Sequence, residues 1–328
     1  MKALAVSFTA LVLATATVAQ EGPLERGREL TEAFLAQDLE QVFQSLGPAL
    51  QASFGSAEGL AGFRQQVEGD LGAEGEVIDE RVRAELYGLS SYLRTSRFSG
   101  VEQPILTQWT LAPDGTAVLL LIVPAPVAAE SAFLDYETVA DLSLPVRGEW
   151  YVYWGGRDIS DNYHAVDPAQ RFALDLLIVR EGATFSGEAG VLENYYCWDQ
   201  PILAPAAGTV VRVTNDLPDN PIGQTDTANP AGNHVVIDLG ASEFAFLGHM
   251  RQGSVSVSAG DTVAAGDEIG RCGNSGNTSE PHLHFHLQTT ADLAAGEGLP
   301  AQFQNYVANG LAITRGEPER GEVIGTPE

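Results

Sequence analysis

Pro281-His282-Leu283-His284-Phe285-His286-Leu287-Gln288 alternates imidazoles with large apolar side chains at a period of two. Successive side chains of a β-strand point to opposite faces, so this spacing predicts a strand with three histidines on one face. Leu283, Phe285 and Leu287 then face a core. Two imidazoles on one strand face can serve a single metal ion, or one can ligate while its neighbour moves a proton. A polar sheet face that merely uses histidine has the same pattern, and His282-x-His284 by itself is a weak motif. The distribution of histidine adds weight to the chemical reading. All six histidines lie between His164 and His286, and none precedes His164.

Working outward, Gly273-Asn274-Ser275-Gly276-Asn277-Thr278-Ser279-Glu280-Pro281 is a loop whose Gly and Asn content lets backbone approach a ligand closely. Short strands separated by Gly, Pro and Asn turns surround it: Pro201 to Pro205, Gly208 to Val213, Asn233 to Leu239, Glu243 to His249 and Thr262 to Ile269. Such spacing predicts a mostly antiparallel β domain. The first half reads differently. Leu24 to Phe43 and Ala57 to Leu71 have helical periodicity. Ser91 to Arg97, Gln103 to Leu111 and Ala117 to Val123 read as strands, with a further strand pair from Leu142 to Trp154 turning near Gly148-Glu149. Helices followed by a meander predict an α+β domain with helices on one sheet face. The expected divisions are a signal peptide at 1–19, an α+β domain at 20–157, a β-rich domain at 158–314 and a mobile Gly-, Pro- and Glu-rich tail at 315–328.

Composition limits the partners. With 44 acidic and 17 basic residues, the net charge of −27 argues against tracking nucleic-acid phosphates and against adhesion to anionic lipid. Met1-Lys2, the apolar stretch Ala3 to Val18 and the small residues Thr17-Val18-Ala19 describe a cleaved signal peptide rather than a membrane span. No later stretch is long and apolar enough to span a bilayer. The mature protein is expected outside the cytoplasm, in the periplasm or the medium. In an oxidising compartment Cys197 and Cys272 can form one disulfide; the alternative is two buried thiols.

The motifs are more specific in order than singly. Pro201 to Val210, Gly232-Asn233-His234-Val235-Val236-Ile237, Gly248-His249, Gly260 to Gly266, Gly270 to Gly276 and Pro281 to Phe285 succeed one another as in the lysostaphin/LytM-type zinc endopeptidases. The resemblance covers about 162–288. It implies one zinc ion, with His284 and Asp175 (in Phe172-Ala173-Leu174-Asp175) as ligands and His249 and His282 as catalytic imidazoles. The family's early ligand histidine departs from the pattern. HxxxD spacing falls on Arg171, and the nearest candidate is His164, with Asp167 a lesser one. His286 is expected beyond direct ligation on the same face, and His234 as a structural histidine. No HExxH occurs, so no helix-borne glutamate serves as base. The first half resembles NTF2-like or cystatin-like accessory domains. The function implied is an exported zinc endopeptidase acting on peptidoglycan cross-bridges or stem peptides. The alternative is a non-catalytic LytM-like regulator that partners cell-wall hydrolases.

Overall fold

The computed structural model describes residues 22–327, so the expected signal peptide lies outside the described residues. Helix α1 (Pro23–Leu35) begins with proline, whose missing N–H costs nothing in the first turn. It buries Leu30, Thr31 and Phe34. Gln37, at φ 64°, turns the chain, so the helix expected through Phe43 is two, the second being α2 (Leu39–Gln44). Helix α3 (Pro48–Phe54) follows, then α4 (Ala57–Leu71), whose N-cap Ser56 accepts the Gly59 N–H at 3.3 Å. The span of α4 is the expected one.

Strands β1 (Glu74–Ala84), β2 (Ser90–Phe98), β3 (Ile105–Leu111) and β4 (Ala117–Pro124) form one antiparallel meander in that order. Strand β1 escapes the sequence reading because it is a charged, mostly exposed edge strand. Leu30, Phe34, Val42, Leu60, Tyr92 and Trp109 form the core between helices and sheet. Trp109 Nε1 donates to Thr31 Oγ1 at 3.0 Å. A Cβ at Gly27 would stand 2.1 Å from the Tyr92 ring, so α1 owes its close approach to that glycine.

The second unit begins at Pro126, and its strands are β5 (Trp150–Trp154), β6 (Leu174–Leu177), β7 (Pro201–Leu203), β8 (Gly208–Thr214), β9 (Asn233–Asp238), β10 (Phe244–Met250), β11 (Thr262–Val263), β12 (Glu268–Arg271), β13 (Leu283–Gln288), β14 (Gly298–Leu299), β15 (Phe303–Ala308), β16 (Leu311–Gly316) and β17 (Val323–Gly325). The main sheet runs β11-β8-β9-β10-β13-β6-β5-β17-β15-β16, with β14 beside β13, and β12 pairs with β7 separately. The pairings are antiparallel, as expected for this half. The stretch Thr262 to Ile269, expected as one strand, is divided between β11 and β12 by the turn at Gly266. Cys197 and Cys272 are disulfide-linked, closing a 75-residue separation.

Two expected boundaries shift. The chain divides between Ala125 and Pro126, not near Arg157. Only Trp150–Trp154 of the expected Leu142 to Trp154 pair is a strand, and it belongs to the β-rich unit. It pairs with β6 and β17, burying Trp150 and Val152 among Leu174, Leu176 and Phe285. Its alternation resembles a continued meander, but its partners are distant in sequence. The segment expected to be a mobile tail supplies β17, whose Ile324 is fully buried.

A fragment of residues 126–328 should therefore fold cooperatively, whereas 158–328 lacks β5 and leaves β6 paired with β13 alone. The prediction is checked by urea unfolding of both fragments. A cooperative transition in the shorter one would contradict the assignment of β5.

Candidate metal centre

The site grows from one cross-strand pair. Strand β13 lies against β6 with His284 opposite Asp175, Leu283 opposite Leu176 and Phe285 opposite Leu174. Directly opposed residues share a face, so the apolar residues go to the core and the carboxylate meets the imidazole. His284 Nδ1 is 2.9 Å from Asp175 Oδ1. His282 and His286 flank His284 on the same face, as the period of two requires. His282 Nε2 lies 3.5 Å from Asp175 Oδ1, and His286 Nδ1 lies 2.9 Å from His284 Nε2.

His164 arrives from outside the sheet, on a 3₁₀ turn (Tyr163–Val166) that starts at Asn162. Its Nε2 is 3.5 Å from Asp175 Oδ2. Among the described residues, His164, Asp175 and His284 are all buried and place one donor atom each within 4.8 Å of one another. Arg171, at the HxxxD position, instead packs its guanidinium over the Phe172 ring. Asp167 accepts the Ala169 N–H at 2.8 Å and does not join the cluster.

His249 reaches the same face by breaking a rule. Gly248 lies opposite His284 on β10, so strict alternation would send the next side chain into the core. His249 has φ 60°, which turns its ring to 4.7 Å from that of His282 and 5.7 Å from that of His284. Its Nδ1 is 2.9 Å from the Ser275 carbonyl oxygen. That carbonyl is close because Gly232, at φ 60°, has no Cβ; one there would stand 2.1 Å from the same oxygen. The Gly- and Asn-rich loop thus brings backbone to the site, as its composition suggested. The cluster opens on a cleft of about 340 Å³ lined by Tyr163, Val166, Ala231, His234, Phe246 and Leu293. His234, expected to be structural, holds the Gly232 carbonyl oxygen 2.8 Å from its Nδ1 and lines this cleft.

Residues 195–295 match the model of peptidase family M23. The match supports a lysostaphin/LytM-type family member in the β-rich domain. The match includes His249, His282 and His284 and leaves His164 and Asp175 outside its limits. The chain is similar in structure to the catalytic domain of the antimicrobial peptidase lysostaphin from Staphylococcus simulans, at 18% identity and a TM-score of 0.28, over 46% of this chain and 88% of that one. It is similar to the M23 metalloprotease pseudoalterin from the deep sea, at 15% identity and 0.33, over 56% and 100%. A zinc-containing peptidase from Vibrio cholerae aligns at 15% identity and 0.27, over 61% and 52%.

Burial and mutual proximity set the protonation of the site. Burial pushes the His164 imidazolium down to about 4, against the pull of the Asp175 carboxylate. Burial, and then neighbouring imidazoles, hold His249 and His286 well below the ordinary value. Burial lowers His234 as well. His282 goes the other way: burial opposes its charge, but Asp175 and the Glu280 carbonyl outweigh burial and raise it. Asp175 stays well below the usual carboxylate range, because the His164 and His282 charges override its burial.

Two polar residues of the site went unread in the sequence, Asn162 and Gln288, both fully buried. The signal for Gln288 was present, since it continues the face of His282, His284 and His286 by one more period of two.

These shifts fix a sign. Unfolded imidazoles titrate near 6.5, whereas four folded ones take protons only below that. The unfolded state therefore binds more protons as pH falls through about 6.5, and stability is lost at up to about 1.4 kcal/mol per pH unit for each depressed imidazole. His282 alone opposes the trend. The chain in chelator should unfold at lower urea at pH 5.5 than at pH 8; an equal or higher midpoint at pH 5.5 would contradict the burial of neutral imidazoles.

Proposed function

We propose that this protein is an exported zinc-dependent endopeptidase that hydrolyses peptide bonds in peptidoglycan. One observation carries the reading: His164, Asp175 and His284 converge to within 4.8 Å of one another, with two further imidazoles beside them. The donor set fits zinc. Two imidazoles and one carboxylate are borderline ligands, and three protein donors leave a fourth position for water or substrate. Zinc bound there would supply Lewis acidity toward water and toward the scissile carbonyl.

The remaining chemistry belongs to His249 and His282. The Ser275 carbonyl accepts the Nδ1 proton of His249, and the Glu280 carbonyl accepts that of His282, each at 2.9 Å. Both rings thus present Nε2 toward the cluster. In that form each accepts a proton from an attacking water. Once protonated, each can donate to a developing oxyanion or to the leaving amine. The cleft beside them is lined by Ala231, Gly248, His249 and His284, so a substrate lying in it would meet these imidazoles.

Peptidoglycan as substrate follows from the family resemblance. Export is supported by the Met1 to Ala19 pattern and, independently, by the Cys197–Cys272 disulfide, which persists outside reducing compartments. No described helix is long and apolar enough to cross a membrane. The first unit, by its helix-then-meander order, acts as an accessory domain of the NTF2-like or cystatin-like kind. The alternative of a non-catalytic regulator rests on the displaced early histidine, and His164 at 3.5 Å from Asp175 supports the enzyme reading over it.

Mature protein loaded with zinc should release peptides from purified sacculi, with chelator abolishing release and zinc restoring it. His249→Ala and His282→Ala should each lower kcat by about 10²–10⁴-fold while zinc content is kept. His164→Ala and Asp175→Ala should lower zinc content itself. A preparation with one equivalent of zinc that releases nothing from sacculi or from any peptide panel would end this reading.

A further inference from the structure

Metal ligation by histidine requires a lone pair on the nitrogen that faces the ion, so the ring proton must sit on the other nitrogen. The cluster sets a harder version of this problem. His164 turns Nε2 toward Asp175, whereas His284 turns Nδ1. The two rings need opposite tautomers.

Gln288 ends β13 and is fully buried. Its Nε2 donates to the Thr290 carbonyl at 2.8 Å and to the Asp292 carbonyl at 2.6 Å. Flipping the amide would set its oxygen against two carbonyl oxygens, so the assignment of its two ends is fixed. Its Oε1 then faces His286 Nε2 at 3.1 Å. An amide oxygen only accepts, so His286 carries its proton on Nε2 and offers Nδ1 as an acceptor. The Nε2 of His284, 2.9 Å away, donates to it, leaving His284 Nδ1 as a lone pair beside Asp175. The stacking of His286 on Phe246, with ring centroids 4.6 Å apart and planes 9° apart, fixes the orientation of the His286 ring.

Asn162 repeats the device with the opposite outcome. It too is fully buried, and its Nδ2 donates to the Gly156 and Ala173 carbonyls, both at 3.0 Å. Its Oδ1 accepts the His164 N–H at 3.2 Å and lies 2.9 Å from His164 Nδ1. The ring proton of His164 is therefore on Nδ1, and Nε2 is the lone pair.

We propose that Asn162 and, through His286, Gln288 are positioning residues that preset His164 and His284 in opposite tautomers, each with its lone pair aimed at the metal cluster. This rests on the ligand set proposed above. Neither amide touches substrate or metal; each acts by removing the wrong tautomer from the metal-free population.

The test is long-range ¹H–¹⁵N correlation on the full mature chain, labelled with ¹⁵N-histidine, in chelator at about pH 8, where histidines are largely neutral. The expected spectrum shows His286 as the Nε2–H form and His164 as the Nδ1–H form. Gln288→Met should give mixed tautomers at His286 and raise the zinc Kd by about 10–100-fold. Because Gln288 also anchors residues 290–292, substitutions at His286 provide a second arm. His286→Asn keeps an acceptor for His284 Nε2 and should hold the Kd within several-fold, whereas His286→Leu should lose affinity as Gln288→Met does. An Nδ1–H form of His286 in the unmodified chain, or equal affinities for the Asn and Leu variants, would overturn the proposal. Zinc titration of the unmodified chain tests the ligand set separately: a chain that binds no zinc sinks that reading, while the metal-free spectrum still decides the proton placement.

Discussion

The pairing of His284 with Asp175 across β13 and β6 constrains everything else in the β-rich domain. An ionised carboxylate this buried costs several kcal/mol unless opposite charge and hydrogen bonds offset it. Here three imidazoles stand within 3.5 Å of its oxygens. The pair is held in place by apolar packing rather than by its own attraction. Leu174, Leu176, Leu283 and Phe285 occupy the alternate positions of the same two strands and lie in the core. A slip of one residue would expose all four and bury the polar set, so the hydrophobic register fixes the chemical one. Strand β5 on the far side of β6 is part of this constraint, which is why the domain has to begin before Trp150.

His249 shows what the face costs to complete. A left-handed conformation in a non-glycine residue is unfavourable by about 1–3 kcal/mol and persists only where the surroundings over-determine it. They do here. Its N–H donates to the Ala231 carbonyl at 3.0 Å, its own carbonyl accepts the Gly273 N–H at 3.1 Å, and its ring is tied to Ser275. The strained residue is also one of the two imidazoles proposed to move protons, and relaxing its φ would return the ring to the core side.

Legibility in the sequence followed the range of the interactions. The alternation in His282 to Gln288 is local, and it correctly placed the three imidazoles on one face with Leu283, Phe285 and Leu287 opposite. The strands β7 to β10 were legible for the same reason. What the sequence hid depends on partners far along the chain. Strand β5 reads as part of the first domain until its pairing with β6 and β17 is seen. Strand β1 hides because an exposed edge strand does not alternate in polarity. His164 was reachable only as the nearest histidine upstream of Asp175; the turn that delivers it is built by Asn162 bonding to Gly156 and Ala173, contacts no local pattern encodes.

The same density of buried groups links the site to stability. Hydrogen-bond directions point the His284 Nδ1 lone pair at a carboxylate oxygen 2.9 Å away, with the His164 Nε2 lone pair nearby. These lone pairs repel the carboxylate, whose charge His282 offsets in part, and a bound cation is what relieves them. A metal bound to this arrangement stabilises the folded state by its whole binding free energy, about 4 kcal/mol when its free concentration is a thousand times Kd. The amides that hold the imidazole protons away from the cluster therefore act against the stability of the metal-free fold. They keep the acceptors facing one another, so part of that repulsion remains until a cation arrives.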